Sequence, residues 1–147
     1  MTALFINGSP NPDGATAHLA RALFGNVSYE TLQLTEYRIN VYGQTLPGDQ
    51  FDEVIDAIKA AEIIVIGSPL YWHNICGSVR NLLDRFYGSV EAGSMKGRIL
   101  YFLHQGAAPK IWMLEAGEYT MKRFAGLYGF EWGGMATTEK QVKGLRK

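Results

Sequence analysis

The chain has a single cysteine, Cys76, among its 147 residues. A lone thiol excludes an internal disulfide and any metal centre built on clustered cysteines, and it fits a reducing compartment. The sequence also lacks an excess of either charge, with 14 Lys and Arg against 14 Asp and Glu. That balance gives no reason to expect nucleic acid or an anionic membrane as a partner. Histidine is scarce too: His18, His73 and His104 do not stand at metal-ligand spacing, so no metal site is expected. No apolar stretch approaches the roughly eighteen residues of a membrane span. The opening run Ala3–Ile6 is too short, and lacks the preceding basic segment, to read as a secretory signal. The expectation is a cytoplasmic protein with one domain over residues 1–147, long enough to bury a real core.

What is present alternates between two periodicities. Ala3–Asn7 is a short apolar run closed by Gly8 and reads as a buried strand. Leu19, Ala22 and Leu23 then keep helical spacing up to Gly25, a C-terminal stop. Residues 28–34 read as a second strand. Phe51, Val54, Ile55 and Ile58 mark a helix opened by Pro47-Gly48-Asp49, with Asp49 as the candidate N-cap. Ile63-Ile64-Val65-Ile66 is β-branched without alternation, as a central parallel strand covered on both faces should be. Gly67-Ser68-Pro69 is expected to end it. Ile75, Val79, Leu82, Leu83 and Phe86 define a third helix. Arg98–His104 reads as a fourth strand, a helix runs from Pro109 to about Leu127, and Phe130–Thr137 reads as a fifth strand. The closing segment TEKQVKGLRK is polar and is expected to fray. Such alternation implies an α/β fold with a doubly wound parallel sheet.

In sheets of this kind ligands sit at the carboxyl ends of the strands, where the winding reverses. Three loops leave such ends: Gly8–Thr16, Gly67–Asn74 and Gln105–Ala108. The first feeds a helix whose opening N–H groups have no partner within it, which favours an anion and most naturally a phosphate. Gly8 and Gly14 let the backbone approach closely, and Ser9 and Thr16 add hydroxyl donors. The loop fits neither the Walker pattern nor the dinucleotide fingerprint. An ordinary strand-to-helix turn, with Ser and Thr as caps, is the alternative. The second loop, GSPLYWHN, sets Tyr71 and Trp72 beside the first, where their rings suit a flat conjugated ligand.

Taken together, GSPNPDGAT, IIVIGSPLYWHNICGSVRNLLDRFYG and the glycine-containing loop after the fourth strand resemble the flavodoxin-like NAD(P)H-dependent FMN reductases and quinone reductases. The resemblance runs from about Ala3 to Thr137. It implies a five-stranded sheet in the order 2-1-3-4-5, FMN as cofactor, and hydride transfer from NAD(P)H through FMN to a small acceptor such as a quinone or free flavin. It assigns the FMN phosphate to Ser9, Asn11, Gly14, Ala15 and Thr16. Pro69, Leu70, Tyr71 and Trp72 would flank the isoalloxazine, and His104, Gln105 and Gly106 would form a third wall. The flavin carries the chemistry, so no side chain is assigned as catalytic. Family members often have Arg at position 11 and a polar residue at position 15, where this chain has Asn11 and Ala15. Phosphate binding then rests on backbone N–H groups and hydroxyls. A flavodoxin-type electron carrier and a flavin-free binding domain are the alternatives.

The remaining features read as structural. His104 is either a ring-edge contact or a buried structural histidine. Cys76 reads as a small buried apolar residue, and Arg80 and Arg85 as a solvated helix face. No helix is expected after the fifth strand, which would leave part of one sheet face bare. That surface predicts a homodimer, with Trp132 or the Trp112 helix near the contact.

Overall fold

The computed structural model describes residues 2–146. Its strands are β1 (Ala3–Asn7), β2 (Glu30–Gln33), β3 (Ile63–Tyr71), β4 (Asn74–Ile75), β5 (Ile99–Gln105) and β6 (Glu131–Ala136). Its helices are α1 (Ala15–Phe24), α2 (Phe51–Lys59), α3 (Gly77–Phe86), α4 (Ile111–Tyr128) and α5 (Glu139–Leu145). The long strands are parallel and lie in the order β2-β1-β3-β5-β6. With the two-residue β4 set aside, this is the 2-1-3-4-5 winding that the family resemblance implies.

The apolar run of β3 explains why it is central. Ile64 and Ile66 project into one core with α2, α3 and α4, while Val65 projects into the other with α1. β1 divides likewise, sending Leu4 and Ile6 to the first core and Ala3 and Phe5 to the second. A strand covered on both faces needs no polar alternation. α2 lays Phe51, Val54, Ile55 and Ile58 against the first core, all buried. Each such side chain removed from water contributes ~1.5–3 kcal/mol. α1 stops at Gly25, whose φ of 59° lies in the left-handed region that glycine enters without penalty.

Four expectations are corrected. The chain does form a final helix. The hydroxyl of Thr138 accepts from the Gln141 N–H at 3.3 Å, and Gln141 Oε1 accepts from the Thr137 N–H at 2.7 Å. This reciprocal arrangement is a variant of the capping box and fixes the start of α5. Val142 is then fully buried and Leu145 packs beside it, so α5 shares the second face with α1 and that face is not bare. Next, Asp49 does not cap α2, whose N-cap position is Gln50 with no side-chain cap. Asp49 instead accepts from the Asn40 N–H at 3.0 Å and from Arg85 at 2.7 and 3.0 Å. Arg85 is accordingly not on a solvated face: it ties α3 to the 40–49 loop and holds the Asp49 carboxyl at about 2. Finally, β3 does not end at Pro69 but continues to Tyr71 and turns back through Trp72–His73 into β4.

Candidate functional site

The loops after β1, β3 and β5 meet at one end of the sheet and are tied to one another. The Gly8 N–H donates to the Gly67 carbonyl at 2.8 Å. Ser78, in the first turn of α3, donates its hydroxyl to the Gly8 carbonyl at 2.9 Å. From β5, Gln105 donates Nε2 to the Thr16 hydroxyl at 3.2 Å, reaching across β3 to α1. These approaches need glycine. A Cβ at Gly8 would strike Val79 and stand 2.8 Å from the Gly67 carbonyl, and one at Gly67 would strike Thr16.

The loop from Gly8 to Gly14 is held from below by a carboxamide network. Asn7 Oδ1 accepts from the Ser9 N–H at 3.0 Å, and Asn7 Nδ2 donates to Gln33 Oε1 at 2.9 Å. Gln33 Nε2 in turn donates to the Ser9 carbonyl at 2.6 Å. Ser9 Oγ accepts from the Asn11 N–H at 3.1 Å, and Asn11 Oδ1 accepts from the Asp13 N–H at 3.0 Å. Asn7 and Gln33 are buried ends of adjacent strands, and this work fully engages them. Sequence reasoning missed both; the signal was a carboxamide closing each of two otherwise apolar strand ends.

The helix that follows is left open. Its N-cap is Gly14, no side chain caps it, and no acidic residue lies in its first turn. The first backbone bond of α1 is made by the His18 N–H to the Gly14 carbonyl at 3.0 Å, so Ala15, Thr16 and Ala17 present N–H groups without a partner in the helix. The one carboxylate nearby, Asp13, is paired with Arg21 at 2.9 Å and lies 3.7 Å from His18. The set that remains is donors only, aligned with the positive end of a helix dipole. It suits a phosphate, which can be held without a basic side chain.

Beside it stands the hairpin of β3 and β4. Its two turn residues both have positive φ, 51° at Trp72 and 67° at His73. Turns of this hand favour Asn and Gly, and a bulky residue there is strained. Trp72 is 94% exposed at the tip, and Tyr71 is half exposed. Between the hairpin and the loop after β5 lies a cleft of about 230 Å³, lined by Leu70, Trp72, His73, Gly106, Ala108 and Met113 among others. The His73 and Trp112 rings meet edge to face at 5.6 Å, so the start of α4 supports the hairpin.

The structure therefore brings Ser9, Asn11, Gly14, Ala15 and Thr16 together in one loop and helix start. It sets Leu70 and Trp72 across from Gly106, with Gln105 bridging back to Thr16, while Tyr71 stands half exposed on the hairpin and does not line the cleft. Pro69 lies buried at the root of the hairpin, in register with Gln105. His104 does not reach the cleft. Its side chain is fully buried and stacked on Phe102 at 4.8 Å, with Nδ1 3.0 Å from the Ser68 carbonyl. Nε2 has no partner and faces Gly117 of α4. Burial lowers its pKa below 6.5, and the bond to Ser68 opposes this only in part. The neutral tautomer with hydrogen on Nδ1 satisfies Ser68 and leaves Nε2 as a bare acceptor. Cys76 is buried at the N-cap of α3, with Sγ 3.6 Å from the Gly8 carbonyl.

A parallel sheet in this order, with an open helix start after β1 and an aromatic hairpin after β3, defines a flavodoxin-like fold. Residues 1–129 match the family described as NADPH-dependent FMN reductase, and the chain belongs to that family. That family is described by its dependence on NADPH and its reduction of FMN. The chain is 33% identical over 98 residues to an iron-sulfur flavoprotein of Archaeoglobus fulgidus, covering 58% of this chain and 48% of that protein. An iron-sulfur flavoprotein of Methanocaldococcus jannaschii is 27% identical over 99 residues, covering 58% of this chain and 51% of that one. The chain thus spans about half the length of the curated relatives it matches. Among solved structures, the Trp repressor binding protein from Bacillus subtilis superposes with a TM-score of 0.78 at 14% identity, over 98% of this chain and 96% of that one. A flavone reductase superposes at 0.79 with 16% identity, over 99% of this chain and 59% of that one. At such identities these two show the shared fold alone.

Proposed function

We propose that this chain binds FMN at the carboxyl ends of β1, β3 and β5, and passes hydride from NAD(P)H to a small acceptor such as a quinone or free flavin. The observation that carries the proposal is the uncapped start of α1 beside the strained aromatic hairpin. When bound, the flavin supplies the hydride relay, and the chain supplies position. The N–H groups of Ala15, Thr16 and Ala17, with the hydroxyls of Ser9 and Thr16, hold the phosphate. Asn11 shapes the loop around it, since its Oδ1 is engaged by Asp13. Leu70, Tyr71 and Trp72 flank the ring system from the hairpin, and Gly106 faces Leu70 and Trp72 across the cleft. His104 is buried away from the cleft, and His73 is the titratable side chain among its described lining residues. An electron carrier would dock through a charged surface, and this sequence has no net charge. The enzyme reading is therefore favoured. The chain acts in the cytoplasm, in keeping with its single buried cysteine, and as a homodimer, in keeping with its exposed aromatic residues.

The test is a titration of FMN and riboflavin by flavin fluorescence, followed by steady-state oxidation of NADH and NADPH with quinone or free FMN as acceptor. FMN should bind more tightly than riboflavin, and the loaded protein should oxidise a nicotinamide faster than free flavin does. FMN binding without nicotinamide oxidation would give the carrier reading. An absence of flavin binding would give the flavin-free domain.

A further inference from the structure

The outer face of α4 has features that packing within the chain does not explain. Trp112, Glu115, Tyr119, Arg123 and Gly126 recur at three- and four-residue spacing, and all are exposed. Trp112 is 58% and Tyr119 68% exposed, a large aromatic area to leave in water. Gly126 occupies a helix interior, where glycine is disfavoured, yet a Cβ there would meet nothing within 4 Å. No neighbour among the described residues requires it. Beside this stripe a groove of about 840 Å³ runs between α3 and α4, lined by Leu83, Tyr87, Phe124 and Leu127 among others. The charges on α4 are also segregated. Glu115 and Glu118 precede Tyr119, while Lys122 and Arg123 follow it. No acidic residue lies in the first turn and no basic one in the last, so the helix dipole, felt only there, does not account for the pattern.

We infer that α4 packs against α4 of a second copy of this chain, antiparallel, about a twofold axis at Tyr119. The inference rests on the homodimer reading above and gives it a surface and a register. Residues equally far from Tyr119 then meet. Four positions to either side, Glu115 faces Arg123 of the partner subunit; seven to either side, Trp112 faces Gly126 of the partner subunit. The symmetry makes each pairing occur twice. The indole lies over the glycine, whose missing side chain lets the helices close, and the adjoining groove takes its edge. Glu115 and Arg123 complement one another, and neither is in an ion pair among the described residues. A parallel pairing would instead set Glu115 against Glu115 and Arg123 against Arg123. The contact bears on the flavin cleft, because the Trp112 ring rests against His73 at the hairpin turn. A second copy that immobilises Trp112 also steadies that turn.

The test needs no flavin. Under mild oxidation, Tyr119→Cys should form a covalent dimer. Glu131→Cys, exposed on the edge strand β6, and the wild type with its buried Cys76 should not. Light scattering should give twice the 16.3 kDa chain mass for the wild type and a single chain mass for Gly126→Lys, with an unchanged circular dichroism spectrum. Glu115→Arg should raise the dimer Kd about tenfold or more, and adding Arg123→Glu should restore most of the loss. A dimer mass that Gly126→Lys leaves intact, with no cross-link through Tyr119→Cys, would overturn this pairing and leave the homodimer standing. A monomer mass for the wild type at tens of micromolar would overturn both. Neither result depends on whether FMN binds.

Discussion

The turn between β3 and β4 sets stability against ligand binding, and the opposition can be measured. Trp72 and His73 both lie at positive φ, where a residue with a Cβ carries roughly 1–2 kcal/mol of strain. Replacing them with Asn and Gly installs the pair that such two-residue turns favour. Trp72 is 94% exposed, so Trp72→Asn gives up almost no packing and should stabilise the fold by about 1 kcal/mol. His73→Gly relieves a similar strain but loses the edge contact with Trp112, an aromatic pair worth about 0.5–1.5 kcal/mol. The double variant should therefore gain about 1–1.5 kcal/mol. For a chain of 147 residues that corresponds to a rise in Tm of about 3–5 °C. FMN affinity should move the other way, falling roughly two- to tenfold with loss of the stacking ring. Thermal unfolding without ligand, and FMN titration of both proteins, read the two effects separately. An unchanged or lower Tm would refute the strain argument. A higher Tm with unchanged FMN affinity would show that the strain does not serve the flavin.

Further predictions rest on the same geometry. Thr16→Val removes both a candidate phosphate donor and the acceptor used by Gln105, so FMN should weaken by about 1.5–3 kcal/mol while riboflavin is nearly unaffected; an equal loss for the two flavins would sink the phosphate assignment. Gly117→Ala would place a Cβ 2.5 Å from His104 Nε2, and the overpacking of about 1–3 kcal/mol should exceed the roughly 1 kcal/mol gained in helix propensity. In a His104→Asn background the same change should be tolerated, which denaturant unfolding of the two single variants and the double variant would show. His104 itself should make stability depend on pH. Its pKa is lower folded than unfolded, so its contribution is complete above about 6.5, the unfolded value, and declines as pH falls toward the folded value, with a slope of at most about 1.4 kcal/mol per pH unit. His104→Asn keeps a donor for the Ser68 carbonyl but does not titrate, and should flatten the profile between pH 7 and 5; an unchanged slope would refute the assignment.

Most of the fold was legible because its central elements carry strong periodicity. The run Ile63–Ile66 is β-branched without alternation, as a strand with two covered faces should be, and α2 and α3 show their apolar stripes without interruption. What escaped was short-range capping. α5 has only seven residues and two apolar anchors, Val142 and Leu145, too few for periodicity to reveal. Its signal was Thr138 followed three residues later by Gln141, a capping pattern that a polar tail conceals. Asp49 failed as a predicted cap because a tertiary partner, Arg85 from α3, holds its carboxylate more strongly than the start of α2 could.

The candidate site was legible to a different depth in each of its layers. Gly8, Gly14, Tyr71 and Trp72 stand out in sequence because they fall on loops after parallel strands, where binding residues concentrate. The supports beneath them do not. Asn7 and Gln33 lie on different strands, and only the pairing of β1 with β2 brings their carboxamides within 2.9 Å. Gln105 reaches Thr16 only because β3, at Gly67, has no side chain in the way. His104 shows the opposite case. Its position at a strand end suggested a wall of the cleft, yet β5 turns that side chain toward α4, where Gly117 makes room for it. Residues of alternate parity along a strand face opposite sides of the sheet, so Gln105 reaches toward α1 while His104 lies under α4. One step of register separates a residue that reaches the start of α1 from one that braces the sheet beneath it.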